Sequence, residues 1–198
     1  MHELLPGVLT WQWFSEPHGY SFNGYLVLLP QGNVCVDPPD APPEVLAELA
    51  RRGVARILLT NRNHVRDANR VRSRTGGRTA IHPADAVHAR NQGAEIDDEL
   101  QIGAAIGPLT VVGVPGKSPG EVAFHWPARR LLIVGDAVVG NPPGQCSLLR
   151  EKVMDDPAQL RASVRRLLSF EFDGLLVGDG ESILRGAKDR LRALIDTF

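Results

Sequence analysis

Five times along this chain a short apolar run stops abruptly at polar side chains. The stops are Asp37 after VCV, the Asn61–Arg66 cluster after ILLT, Lys117 after TVVGVPG, Asp136 after LLIVG and Asp179 after LLVG. A short continuous apolar run bounded by turn residues reads as a buried strand. Loops at strand ends are where a sheet protein builds its site. One such residue alone is a cap or a turn former; five in series argue for a site. Helical stretches alternate with the strands. Pro42 and Pro43 open a helix that runs to about Arg52 and ends at Gly53. Further helices are predicted over 65–74, 83–91, 157–170 and 182–195. Strands are predicted at 8–14, 23–29, 33–37, 55–60, 78–82, 108–114, 121–126 and 131–136, and again from 173. Strands and helices mixed in both halves argue for an α/β fold of two sheets covered by helices. With no linker-like or low-complexity stretch, residues 1–198 are expected to form one domain.

Composition excludes several functions. Hydrophobic residues make up 43% and charged residues 23% of the 198, and the net charge is −1, so neither nucleic acid nor an anionic membrane is expected as a partner. The first residues, MHELLPGVLTWQWF, are too polar and too broken by Pro6 and Gly7 for a signal peptide, which leaves a cytoplasmic location as the expectation. Cys35 lies in an apolar run and Cys146 in a loop, neither with a CxxC neighbour, so no disulfide or structural zinc is expected.

The order and spacing of the five segments resemble the metallo-β-lactamase superfamily, of which hydroxyacylglutathione hydrolase is a member. DPP at 37–39 resembles the family's early Asp-Pro turn, and LLTNRNHVR its Leu-Thr-His-x-His-x-Asp-His loop. VPGKSPGE is similar to its Thr-Pro-Gly-His-Thr-Pro-Gly loop, LLIVGDAV to its Gly-Asp strand end, and LLVGDGES to its closing Gly-His-Gly loop. The resemblance implies a four-layer αββα sandwich with two metals at one edge of the sheets.

The ligands implied by that resemblance are mostly replaced. The family's two loop histidines fall on Asn61 and Asn63, its aspartate on Val65 and the adjoining histidine on Arg66. The third-loop histidine falls on Lys117 and the last histidine on Asp179; the bridging aspartate survives as Asp136. Asn is a weak ligand, Val is none, and Lys and Arg are cations hostile to metal. The expectation is therefore no cofactor, with Lys117 and Arg66 paired to Asp136 and Asp179. The alternative is one zinc, manganese or iron ion held by Asp136, Asp179 and His64.

The leading functional expectation is a non-catalytic relative. Its ligand pocket would comprise Asn61, Asn63, Arg66, Lys117, Asp136 and Asp179, taking a small anionic ligand drawn by Arg62, Arg66 and Lys117, or a protein partner. One alternative is a hydrolase of esters, thioesters or lactones dependent on Asp136; another is a structural subunit. The oligomeric state stays open, a homo-oligomer included. A glutathione thioester is not expected, because the resemblance lacks the family enzyme's extra C-terminal helical region. His18 lies in a hairpin whose aromatics Trp11, Trp13, Phe14, Tyr20 and Phe22 are expected to pack on the core. His82 is expected to cap or pack at the start of the helix at 83–91 and His88 to face solvent, while His125 alternates away from the Val122, Phe124 and Trp126 face and gives no signal of its own.

Overall fold

The computed structural model describes residues 1–198 and divides into two compact units, Met1–Leu100 and Gln101–Phe198. In the first unit, seven strands form one sheet in sequence order. They are β1 (His2–Leu5), β2 (Val8–Ser15), β3 (Tyr20–Val27), β4 (Val34–Val36), β5 (Arg56–Leu58), β6 (Arg78–Ile81) and β7 (Asp98–Glu99). The first four pair antiparallel, and β4 to β7 pair parallel. Parallel neighbours need a crossover, supplied by α1 (Pro43–Arg52), α2 (Ala68–Thr75) and α3 (Pro83–Asn91). Leu9, Leu26, Leu49, Ile57, Val71 and Ile81 lie in one continuous core cluster.

In the second unit, five strands follow the order β12-β11-β10-β9-β8. They are β8 (Ala105–Ile106), β9 (Leu109–Gly113), β10 (Val122–Trp126), β11 (Leu131–Val134) and β12 (Gly174–Val177). All pairs are antiparallel except β11–β12, joined through α4 (Pro157–Leu167) and followed by α5 (Ala187–Ile195). Asp156 caps α4 through a 2.8 Å bond from the Gln159 N–H to its carboxylate. Leu132, Leu160, Val164, Phe172, Leu175 and Leu191 anchor this unit's core. No helix is long and apolar enough to cross a membrane.

The predicted elements are present, with β3 starting at Tyr20 rather than 23, α4 ending at Leu167 rather than 170, and four further differences. The short strands β1, β7 and β8 carry no apolar run and were not expected. Helix α2 begins at Ala68, three residues later than its pattern, because Asp67 N–H bonds back to Pro38 O. The closing helix begins at Ala187, since Ile183 pairs with Leu175 in a β-bridge and Gly186 sits at φ 67°. The hairpin aromatics are also divided. Trp11 is core, but Trp13 is 39% and Phe14 51% exposed. The β2–β3 ribbon extends beyond the apolar layer, so its outer rings stack on one another, Trp13 on Phe22 at 5.6 Å and His18 on Phe22 at 5.3 Å.

Candidate functional site

In the first unit, β4, β5 and β6 run parallel with Val36 opposite Leu58 and Leu58 opposite Ala80. Residues just past these positions therefore emerge along one edge of the sheet. Asp37 emerges first, at φ 46° and 1% exposed. That left-handed geometry is uncommon outside glycine, and the bonds of its carboxylate hold it. Oδ1 accepts the Thr60 N–H at 2.8 Å and Oδ2 accepts the Thr60 hydroxyl at 2.6 Å. Two other buried aspartates tie the same loop. Asp85 accepts the Arg62 N–H at 2.9 Å, and Asp67 accepts the Ala41 N–H at 2.9 Å. Asn61, wholly buried, accepts the Asn63 N–H at 2.8 Å through its side-chain oxygen.

His64 is buried, with Nδ1 2.8 Å from Asp37 Oδ2. The Thr60 hydroxyl proton is already directed at that carboxylate, so Nδ1 is the ring atom that carries a hydrogen and donates it. Nε2 then holds a lone pair, and it lies 3.1 Å from Arg66 Nη2, a group that can only donate. The tautomer follows from this network. Arg66 also places its guanidinium 4.1 Å over the Phe22 ring. Of the other motif positions, Asn63 is exposed and Val65 packs into the core.

In the second unit, β11 and β12 are parallel neighbours with Val134 opposite Val177. Asp136 and Asp179 each stand two steps past that pair. The backbone there is closed by the Gly178 N–H to Val134 O at 2.9 Å and the Gly140 N–H to Asp179 O at 2.9 Å. Lys117 sits in the turn between β9 and β10. That turn is pinned to the start of α4 by the Asp156 N–H to Gly116 O at 2.8 Å and by the Ser163 hydroxyl to Pro115 O at 2.7 Å. Lys117 Nζ thereby comes 3.2 Å from Asp136 Oδ2, the two side chains only 8% and 6% exposed. The pairing expected for Lys117 with Asp136 is present.

The remaining histidines follow their expectations. His82 caps α3 through the Ala84 N–H, and His88 is exposed. His125 Nε2 lies 3.0 Å from Glu171 O, with the ring against Phe170. Two groups were missed from the sequence. Thr60 and Asp85 position the loop, and only the threonine had a signal, its place in the motif.

The family model of the metallo-beta-lactamase superfamily matches residues 1–198. A hydroxyacylglutathione hydrolase of Fuscovulum blasticum is 32% identical over 151 residues, covering 71% of this chain and 54% of the relative. One from Cereibacter sphaeroides is 33% identical over 152 residues, covering 74% of this chain and 56% of the relative. The chain spans about half the length of the curated relatives it matches. Among solved structures, TTHA1623 in a di-iron-bound form is 27% identical, with a TM-score of 0.70 over 91% of this chain and 98% of that one. A metallo-beta-lactamase from Pontibacter korlensis matches at a TM-score of 0.80 with 15% identity, covering 100% of this chain and 98% of that one, a likeness of fold alone. With the family model covering every residue and the αββα fold shared with solved members, this chain belongs to the metallo-β-lactamase superfamily.

Proposed function

We propose that this chain is a hydrolase of small esters, thioesters or lactones that keeps a one-cation version of the superfamily's site. Membership of the superfamily and the di-iron-bound relative put a metal ahead of none as cofactor. Two ions do not suit these residues. Asp136, which the motif makes the bridging ligand, is paired with an ammonium at 3.2 Å, and Val65 points its methyls into the core.

One ion suits them better, and the observation that carries this is the 2.8 Å bond between His64 Nδ1 and Asp37. A carboxylate on one ring nitrogen is how proteins orient a metal-binding imidazole; it fixes the tautomer and leaves the other lone pair for the cation. His64 Nε2 would be a donor to the ion. Such an ion would polarise a carbonyl and acidify a water. The chain's own groups supply the remainder. Asp37 holds the ring, and Lys117 balances the charge of Asp136. As a buried ammonium with three N–H donors, Lys117 also offers fixed positive charge to a developing oxyanion, where the family uses its second metal.

A second reading has its own support. Arg66 Nη2 donates to the same Nε2 lone pair at 3.1 Å. If that bond persists, the chain is a non-catalytic relative that binds a small anion through Arg62 and Arg66. Metal analysis after purification without chelator, loading with zinc, manganese or iron, and desalting decides between them. About one equivalent is expected, lost in Asp136→Ala together with hydrolysis of a panel of p-nitrophenyl esters, thioesters and lactones. Less than about a tenth of an equivalent, with no turnover, would move the assignment to the anion-binding reading.

A further inference from the structure

We propose that Asn61 is a positioning residue whose amide N–H group holds an oxygen of the bound ligand, an inference that rests on the hydrolase site proposed for this chain. Asn61 directly follows Thr60 at the end of β5 and has no exposed surface. Its Oδ1 accepts the Asn63 N–H at 2.8 Å, which settles which end of the amide is oxygen and which is nitrogen. The Nδ2 group at the other end is buried and has no hydrogen-bond partner. Several other groups of the turn are bonded. Thr60 is bonded to Asp37, the Arg62 N–H to Asp85, and His64 to Asp37 and Arg66.

A buried donor without an acceptor is uncommon in folded proteins and disfavours the folded state. One setting in which a chain retains such a donor is a site where a ligand brings the acceptor. The amide nitrogen donates two hydrogens and accepts none, so its partner is an oxygen, either the carbonyl of an ester, thioester or lactone or the carboxylate such a substrate leaves behind. Where the family motif has an imidazole that grips a metal, this chain has a neutral group too weak for a metal and well suited to a carbonyl. Reaching it requires the turn to open slightly, and Arg62 and Arg66 are the partly exposed long side chains of that turn.

The test uses the full chain labelled with 15N and acetate as the probe, the simplest carboxylate product. The Asn61 side-chain amide signals are assigned by their loss in Asn61→Leu, a change close in volume. Saturable downfield movement of those signals with acetate is expected, with affinity about tenfold weaker in Asn61→Leu. The same variant is expected to melt close to wild type, because removing the unpaired buried donor offsets the lost bond from the Asn63 N–H. If acetate binds in a Lys117-dependent way while the Asn61 signals and the affinity stay unchanged, Asn61 is idle and the proposed site stands without it. If neither acetate nor inorganic phosphate binds, both the donor and the proposed site fail. Should Asn61→Leu not fold, the Asn61 amide signals are assigned in wild type through their proximity to the Asn63 N–H, and they either follow acetate or they do not.

Discussion

At the scale of single residues, the chemistry turns on two buried polar pairs. Lys117 and Asp136 lie 3.2 Å apart with almost no solvent to share their charge. Removing one partner strands the other, and breaking such a pair from one side typically costs about 3–5 kcal/mol. Lys117→Ala is therefore expected to lower the unfolding free energy by that amount, read as a lower urea midpoint, and replacing both partners with Met and Leu is expected to recover most of it. An unchanged midpoint in Lys117→Ala would show that the pair contributes nothing. Asp37 works differently, because it accepts three hydrogens at once from Thr60 and His64. Asp37→Asn keeps the shape but presents an amide nitrogen to one of those donors. A loss of about 2 kcal/mol is expected, typical of bonds to a charged acceptor. In 15N spectra of the ring, the same change is expected to shift His64 away from its single tautomer.

At the scale of elements, the site depends on turns whose backbones pass closer than a side chain allows. Gly116 takes φ 141°, and a Cβ there would lie 2.3 Å from the Leu160 backbone nitrogen in the first turns of α4. Gly116→Ala is expected to destabilise the protein by about 2 kcal/mol or more. It is also expected to raise amide exchange in α4 and the Lys117 turn ahead of β10, which a purely local strain would not do. Gly140 makes a similar approach, where a Cβ would sit 2.0 Å from Glu181 O beside Asp179. These contacts explain a pattern visible in the sequence. VPGKSPG and VVGNP look like generic turn chemistry, but the glycine requirement comes from α4 in one case and from the residues after β12 in the other. Propensity sees the glycine; the neighbouring backbone that demands it lies more than 40 residues away.

At the scale of the whole molecule, acid stability offers a direct measure. The hydrogen bonds of Arg72, and then the Thr79 N–H, hold the Asp97 carboxyl at about 2, below its ordinary 3.8. A carboxylate depressed in the folded state adds stability above its unfolded value, and that stability is lost as pH falls from about 4 towards 2. With Arg72 34% exposed, solvent screening reduces the effect to about 1 kcal/mol. The urea midpoint is expected to fall across that window, and Arg72→Met is expected to flatten the fall. Much of the molecule was legible without its structure. Helices α1 and α3 and most of the long strands followed from proline, glycine and apolar runs, because those signals act within a few residues. The family followed from the order of five loops, and the same register set Asn61, Asn63, Val65, Arg66, Lys117 and Asp179 where the resemblance implies ligands. By itself, then, the sequence determined the fold class, the strand-end loops and the identity of the groups they carry. The tertiary structure decided which of those groups meet. His64, a spacer position by motif register, was turned to Asp37, 27 residues away, and Lys117 to Asp136. The extended β2–β3 ribbon exposed Trp13 and Phe14. Hydrogen bonds and ion pairs act over a few ångströms in space, whatever the separation along the chain, and only the packed sheets fix those distances.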